Sequence, residues 1–124
     1  DISSKTIERA ERNLANHNNI NLICGDFMTY RFGRLFNVVY SSLVFMHFKD
    51  KLHAVRKASD LLSDGGRFVV SIDKNRSEFI DMDEYKVKIY PDTPSSIENA
   101  VLSANMHVTG RHETEFAHIF IAEK

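Results

Sequence analysis

The chain has 124 residues, 43% hydrophobic and 27% charged, which is enough for one modest core and ordinary for a globular protein. A net charge of −1, with no basic stripe carrying interleaved aromatics, gives no case for a nucleic-acid partner, and no apolar run is long enough to suggest a membrane span. The lone Cys24 excludes an intrachain disulfide, so a reducing, cytoplasmic setting is expected, and Asp1-Ile2-Ser3-Ser4 does not read as a signal peptide.

Ser3 or Ser4 can cap a helix that carries Ile7, Ala10 and Leu14 at helical spacing, with Lys5, Glu8, Arg9 and Arg12 on its wet face. Asn16-His17-Asn18-Asn19 ends it, because short polar side chains compete for backbone groups. Ile20-Asn21-Leu22-Ile23-Cys24 reads as a strand closed by Gly25-Asp26, and residues 28–34 form a connector with Gly33 as a turn.

Phe36-Asn37-Val38-Val39-Tyr40-Ser41-Ser42 is a short run rich in β-branched and aromatic residues and predicts a strand buried on both faces, with Tyr40 packed. It turns polar at Ser41-Ser42. In an open α/β sheet ligands gather where a strand's carboxyl end opens into its loop, so residues 41–47 are the first place to look for a site. Residues 50–62 are amphipathic, with Leu52, Val55, Ser59 and Leu62 on one side, and Ser63-Asp64-Gly65-Gly66 ends that helix with Gly65 at a position needing positive φ. Arg67-Phe68-Val69-Val70-Ser71-Ile72-Asp73 is a second buried strand.

From residue 74 to 92 the pattern weakens to one short exposed strand around Val87 and Ile89, broken by Pro91. Thr93-Pro94 opens a helix carrying Ile97, Val101 and Ala104, and Asn105 stops it. Residues 106–113 and 116–122 alternate about Thr114-Glu115 as a terminal antiparallel hairpin. No repeat or linker marks a boundary, so a single domain is expected. Helix–strand alternation argues for a mainly parallel sheet.

The order and punctuation of these elements resemble a class I S-adenosylmethionine-dependent methyltransferase. Asp1-Ile2-Ser3-Ser4 and its helix resemble the end of that family's second strand and the helix after it, and Cys24-Gly25-Asp26 the acidic turn after the third strand. Phe36 to Ser42 resembles the fourth strand, and Leu62-Ser63-Asp64-Gly65-Gly66 the Leu-x-x-Gly-Gly turn into the fifth. The closing hairpin resembles the sixth and seventh strands, with Ala104-Asn105-Met106 where the family often has Ala-Gly-Phe. The resemblance implies a Rossmann-like α/β fold, a partial sheet that is mainly parallel with a C-terminal antiparallel hairpin and helices on both faces.

Two departures stand beside these matches. The family's first strand and glycine-rich loop lie before the position matching Asp1, and no Gly-x-Gly occurs in the sequence. Asn37 stands where the family commonly has Asp. The chain is therefore read as the larger, C-terminal part of a methyltransferase domain. In the family's strand order the first two strands lie between the third and fourth, so an unpaired apolar edge is expected at residues 36–41. Strand exchange, a homodimer, or movement of strand 20–24 in beside that edge would satisfy it.

The resemblance also assigns roles. Asp1 matches the carboxylate that accepts from both ribose hydroxyls of S-adenosylmethionine, a vicinal diol matching two acceptor oxygens; otherwise it is an acid favoured by the helix dipole. Asp26 matches the acceptor of the adenine amino group, with the Phe27 N–H toward a ring nitrogen; otherwise it stabilises its own turn. Phe27 and Met28 flank the adenine or join a core. Ser41 and Ser42 face the methionine portion and the acceptor, or satisfy loop backbone. His47, whose ordinary pKa is near neutrality, is the candidate general base, or a structural hydrogen-bonder.

Among six histidines, His107, His112 and His118 share the terminal hairpin, at a spacing unlike the common zinc patterns, so no metal is expected. Glu78, Asp81, Asp83 and Glu84 read as a solvated acidic face in a segment where the family varies its substrate cover. The function implied is methyl transfer from S-adenosylmethionine to a small-molecule acceptor. The alternatives are a catalytically inactive fragment or binding module, or part of another nucleotide-binding α/β domain such as a dehydrogenase half.

Overall fold

A computed structural model describes all 124 residues, with three α-helices and six strands in two compact units, Asp1–Gly33 and Arg34–Lys124. In the first unit, helix α1 (Ser4–Asn13) starts where Ser3 Oγ accepts from the Thr6 N–H at 3.3 Å, and Arg12 in its last turn suits the negative end of the helix dipole. Ile7, Ala10 and Leu14 form its half-buried stripe, as their spacing predicts. The unit also holds an aromatic group, with Tyr30 edge-on to Phe32 at 4.9 Å and Phe27 tilted against Phe32 at 6.1 Å.

Residues 20–24 do not form a strand, contrary to the expectation from their apolar run. The Asp1 amino group donates to Ile23 O at 3.0 Å, and the Gly25 N–H donates to Asp1 O at 2.8 Å. Two bonds straddling Cys24 are one rung of a parallel ladder. A single rung does not make a strand, because extended backbone becomes one only when its N–H and C=O groups find a continuous partner.

The second unit is built on a four-stranded sheet. Its strands are β1 (Phe36–Ser42), β2 (Leu62–Asp73), β5 (His107–Glu113) and β6 (Ala117–Glu123), in the order β1-β2-β6-β5. β1 and β2 are parallel, joined through helix α2 (Lys51–Asp60), and β6 runs antiparallel to both β2 and β5. Three of the four strands therefore point the same way, and the closing hairpin folds back as its alternation predicts. Ile20-Asn21-Leu22-Ile23-Cys24 is not one of its strands.

Alternation along β2 buries Phe68, Val70 and Ile72 on one face, where Phe120 and Ala122 of β6 lie opposite Val70 and Phe68. Ala54, Val55 and Ala58 of α2, with Ile97, Ala100 and Val101 of α3 (Pro94–Ser103), complete that core. Ser59 Oγ donates to Ala104 O at 3.0 Å and ties the two helices together. α2 is capped by Asp50, which accepts from the His53 N–H at 2.9 Å. α3 is capped by Thr93 and Ser96 in a reciprocal capping box with Pro94 in its first turn. Asn105, at φ +57°, closes α3 in the left-handed region.

Three readings of the second unit need correction. β1 is not buried on both faces: Val38 and Tyr40 are 54% and 67% exposed, so Tyr40 does not pack, whereas the unpaired edge expected at residues 36–41 is present. The turn at residues 63–66 does not precede the second strand but lies inside it. Phe36 pairs with Leu62 and Val38 with Arg67, so β2 makes an excursion at Gly65 (φ +72°) and then rejoins β1. A Cβ on Gly66 would stand 2.7 Å from Ser63 O, so the excursion closes only over glycine. Residues 78–88 hold two strands rather than one, β3 (Phe79–Met82) and β4 (Tyr85–Lys88), which pair as a separate hairpin.

Candidate functional site

In the first unit, the rung beside Cys24 places Asp1 next to the turn that carries Asp26. Each acid uses one oxygen on a backbone N–H two residues ahead: Asp1 Oδ1 accepts from Ser3 and Asp26 Oδ1 from Met28, both at 2.8 Å. This is the short-range turn that aspartate favours, and it fixes each carboxylate in one orientation. The second oxygen of each remains available on an exposed residue. Two pre-oriented acceptors beside half-buried Phe27 and Met28 suit a ligand with hydroxyl or amino donors and an apolar ring.

The remaining candidates lie in the second unit. Ser42, at the end of β1, accepts from Ser71 Oγ at 3.3 Å, while Ser71 is buried and also takes the Leu43 N–H at 3.1 Å. Ser41 is half-buried on the opposite side of the strand, and its hydroxyl has no partner in the protein. Leu43 follows with φ +53°, a left-handed conformation unfavourable for a branched side chain and typical of a tightly determined loop. Phe45–His47 forms one turn of 3-10 helix. Phe45 and Met46 point into the core, and the exposed imidazole of His47 has no bonded neighbour to orient it.

Beneath that loop lies a buried ionic group that the sequence does not signal. Asp92 is 3% exposed, and Lys51 Nζ stands 2.9 Å from its Oδ1. The contact is an ion pair whose angles fall short of a good hydrogen bond, so Oδ1 is charge-paired but lacks a well-aligned donor. Lys51 Nζ also donates to Phe45 O at 2.5 Å and Tyr90 O at 2.7 Å, and the Arg76 guanidinium donates to Asp92 O. The Tyr90 N–H donates to Met46 O at 2.7 Å. Burial pushes the Asp92 carboxyl above its ordinary value, and Lys51 and then Arg76 pull it part of the way back. The group clamps the loop after β1 to the segment entering α3. Lys51 and Asp92 are 41 positions apart in the sequence, and no motif links them.

Residues 1–70 of the chain match the family described as the methyltransferase domain. The chain belongs to that family. A search of curated proteins finds no significant match.

Among solved structures, the methyltransferase domain resembles the CcbJ methyltransferase of Streptomyces caelestis at 13% identity and TM-score 0.79, over 98% of this chain and 76% of that one. It resembles an S-adenosylmethionine-dependent methyltransferase of Mesorhizobium loti at 16% identity and TM-score 0.79, over 100% and 78%. N-methyltransferase NodS of Bradyrhizobium japonicum, in complex with S-adenosyl-L-homocysteine, matches at 14% identity and TM-score 0.74, over 100% and 64%. These likenesses establish a shared Rossmann-like α/β fold, with the β1-β2-β6-β5 sheet closed by its antiparallel hairpin.

Proposed function

We propose that this methyltransferase domain takes part in transfer of a methyl group from S-adenosylmethionine to a small-molecule acceptor. The observation that carries the reading is the pair of oriented acids in the first unit, each with one oxygen left to accept. Asp1 accepts from the ribose hydroxyls and Asp26 from the adenine amino group, with Phe27 and Met28 against the base. The cofactor supplies a methyl group already activated on a sulfonium, so the chain needs no nucleophile of its own and its work is alignment. Ser41 and Ser42 line the acceptor side, and His47 takes the proton that the acceptor releases. The setting is a reducing cytoplasm, in keeping with the single exposed thiol of Cys24.

Titration with S-adenosylhomocysteine, followed by amide resonances, tests the reading. Residues 2–3 and 25–28 should shift. Asp26→Asn keeps the bond to Met28 but turns the open acceptor into a donor, and should weaken binding about tenfold or more. Nicotinamide adenine dinucleotide should leave the same resonances unmoved. Shifts confined to other residues, or unaltered by Asp26→Asn, overturn the assignment.

A further inference from the structure

The β3–β4 hairpin pairs with no other strand. One face carries the Lys86–Asp81 ion pair at 3.4 Å, and Ile80, Val87, Met82 and Tyr85 share the other. A two-stranded hairpin is marginal in water by itself, so its place is set at its foot. There the Ile89 N–H donates to Glu78 O at 2.8 Å, Ile89 is buried, and the Tyr90 N–H reaches Met46 O. Met46 belongs to the turn Phe45–His47, so the foot of the hairpin is bonded to the turn that carries His47. The exposed imidazole is oriented only through the backbone of that turn. Lys51 sits where turn and foot meet. It is the first residue of α2, where the helix dipole disfavours a cation, and its side chain is only 16% exposed. Neither helix stability nor solvation accounts for a lysine in that place. An ammonium has three N–H groups, and three oxygens surround this one: Phe45 O of the turn, Tyr90 O of the foot and the Asp92 carboxylate. Phe45 O also accepts the Phe48 N–H that closes the turn, so the ammonium grips the turn by the carbonyl that shapes it.

We propose that Lys51 is a positioning residue: its ammonium binds the turn of His47 and the foot of the β3–β4 hairpin into one body, so that the place of the hairpin sets the place of the imidazole. Asp92 holds the ammonium between the two carbonyls, and the Arg76 guanidinium, donating to Asp92 O, steadies the backbone that carries the acid. Every one of these groups lies within the second unit. Without Lys51 the Tyr90–Met46 bond is left to join turn and foot, and one such bond gains little over its competition with water. Arginine is not equivalent, because its donors are spread over a broad flat fork rather than gathered on one atom. An acceptor that presses on the hairpin is thereby felt at the group that takes its proton. The coupling stands on these contacts alone, while its use in methyl transfer rests on His47 acting as the base.

Hydrogen exchange and magnetic resonance on the intact 124-residue chain test this without cofactor or acceptor. In the unaltered chain the amides of His47, Phe48, Ile89 and Tyr90 should open as one unit, with a common dependence on urea. Val87→Ala loosens the hairpin; it should speed exchange at His47 and Phe48 and shift the His47 ring resonances. Lys51→Met with Asp92→Asn leaves no stranded charge, and in that background Val87→Ala should leave His47 and Phe48 unmoved. Tyr90 should there exchange about tenfold or more faster relative to the β2 amides, which report overall stability. Lys51→Arg keeps a charge beside Asp92 and should be more stable than Lys51→Met, yet should not restore the link between hairpin and turn. Separate opening of turn and foot in the unaltered chain overturns the proposal. So does a Val87→Ala effect at His47 that is absent from the parent or survives the loss of Lys51, and so does full rescue by Lys51→Arg. A chain with no affinity for S-adenosylhomocysteine would leave these results intact and remove only the catalytic use of His47, so the coupling and the methyltransferase role fail separately.

Discussion

Replacing Lys51 by methionine should unmask the buried acid beneath the loop after β1. Methionine keeps much of the aliphatic stem but removes the charge 2.9 Å from Asp92 and the bonds to Phe45 O and Tyr90 O. Phe45 O still accepts from the Phe48 N–H at 3.0 Å, so the larger loss is at the 3%-exposed Asp92. Leaving one member of a buried pair without its partner costs about 3–5 kcal/mol. The sign with pH follows from the direction of the Asp92 shift. Its carboxyl already sits above the ordinary 3.8, and loss of Lys51 drives it higher. An acid raised on folding adds stability that is complete below its unfolded pKa and is lost as pH rises through the folded one. The variant should therefore be close to the parent in urea near pH 4 and show its full deficit near pH 8. Adding Asp92→Asn removes the stranded charge and should bring the double variant to within about 1–2 kcal/mol of the parent at pH 8. Equal deficits at both pH values, or a double variant no better than the single, would refute the argument.

Gly66→Ala should destabilise by about 1–3 kcal/mol, because its Cβ would press on Ser63 O, while Gly65→Ala should cost about 1–2 kcal/mol through its positive φ alone; thermal melts compare them. Thr93→Ala removes half of the capping box of α3 and should lower stability by about 1 kcal/mol, measured by urea unfolding. The Glu113 carboxyl, bonded to Lys74 Nζ at 2.6 Å, is held below its ordinary 4.5, so its contribution is present above that value and fades as pH falls. Carbon-detected titration should find its midpoint below 4.5 in the parent and back near 4.5 in Lys74→Met.

Local chemistry was the legible part of the sequence. Ser3, Thr93-Pro94, Asn105 and Gly65 each announce their place through one residue's own capping or dihedral preference, and each sits where that preference sets it. The errors share a different cause. Apolar runs state that residues 20–24 and 36–42 can be extended, but not which neighbours they find, so one forms a single rung and the other, its open edge expected, leaves Val38 and Tyr40 exposed on its face. β3 and β4 escaped notice as a pair because their tip is Asp83-Glu84, with Asp83 at φ +42°, rather than the Asn-Gly or Asp-Gly that usually signals a tight hairpin. In the candidate site, the sequence pointed to Asp1, Asp26, Ser41, Ser42 and His47 but was silent about the Lys51–Asp92 pair. Ion pairs between residues 41 positions apart leave no periodicity to read.

The strand latest in the chain stands inside the sheet, between β2 and β5. During synthesis, β1, α2 and β2 can assemble as soon as they emerge, but β5 has no place to dock until β6 has followed it and turned back. Until then the free flank of β2 offers Val69 and Val70 to any passing strand. Ribosomal pausing before residue 117 would thus prolong the interval in which the nascent chain most needs a chaperone.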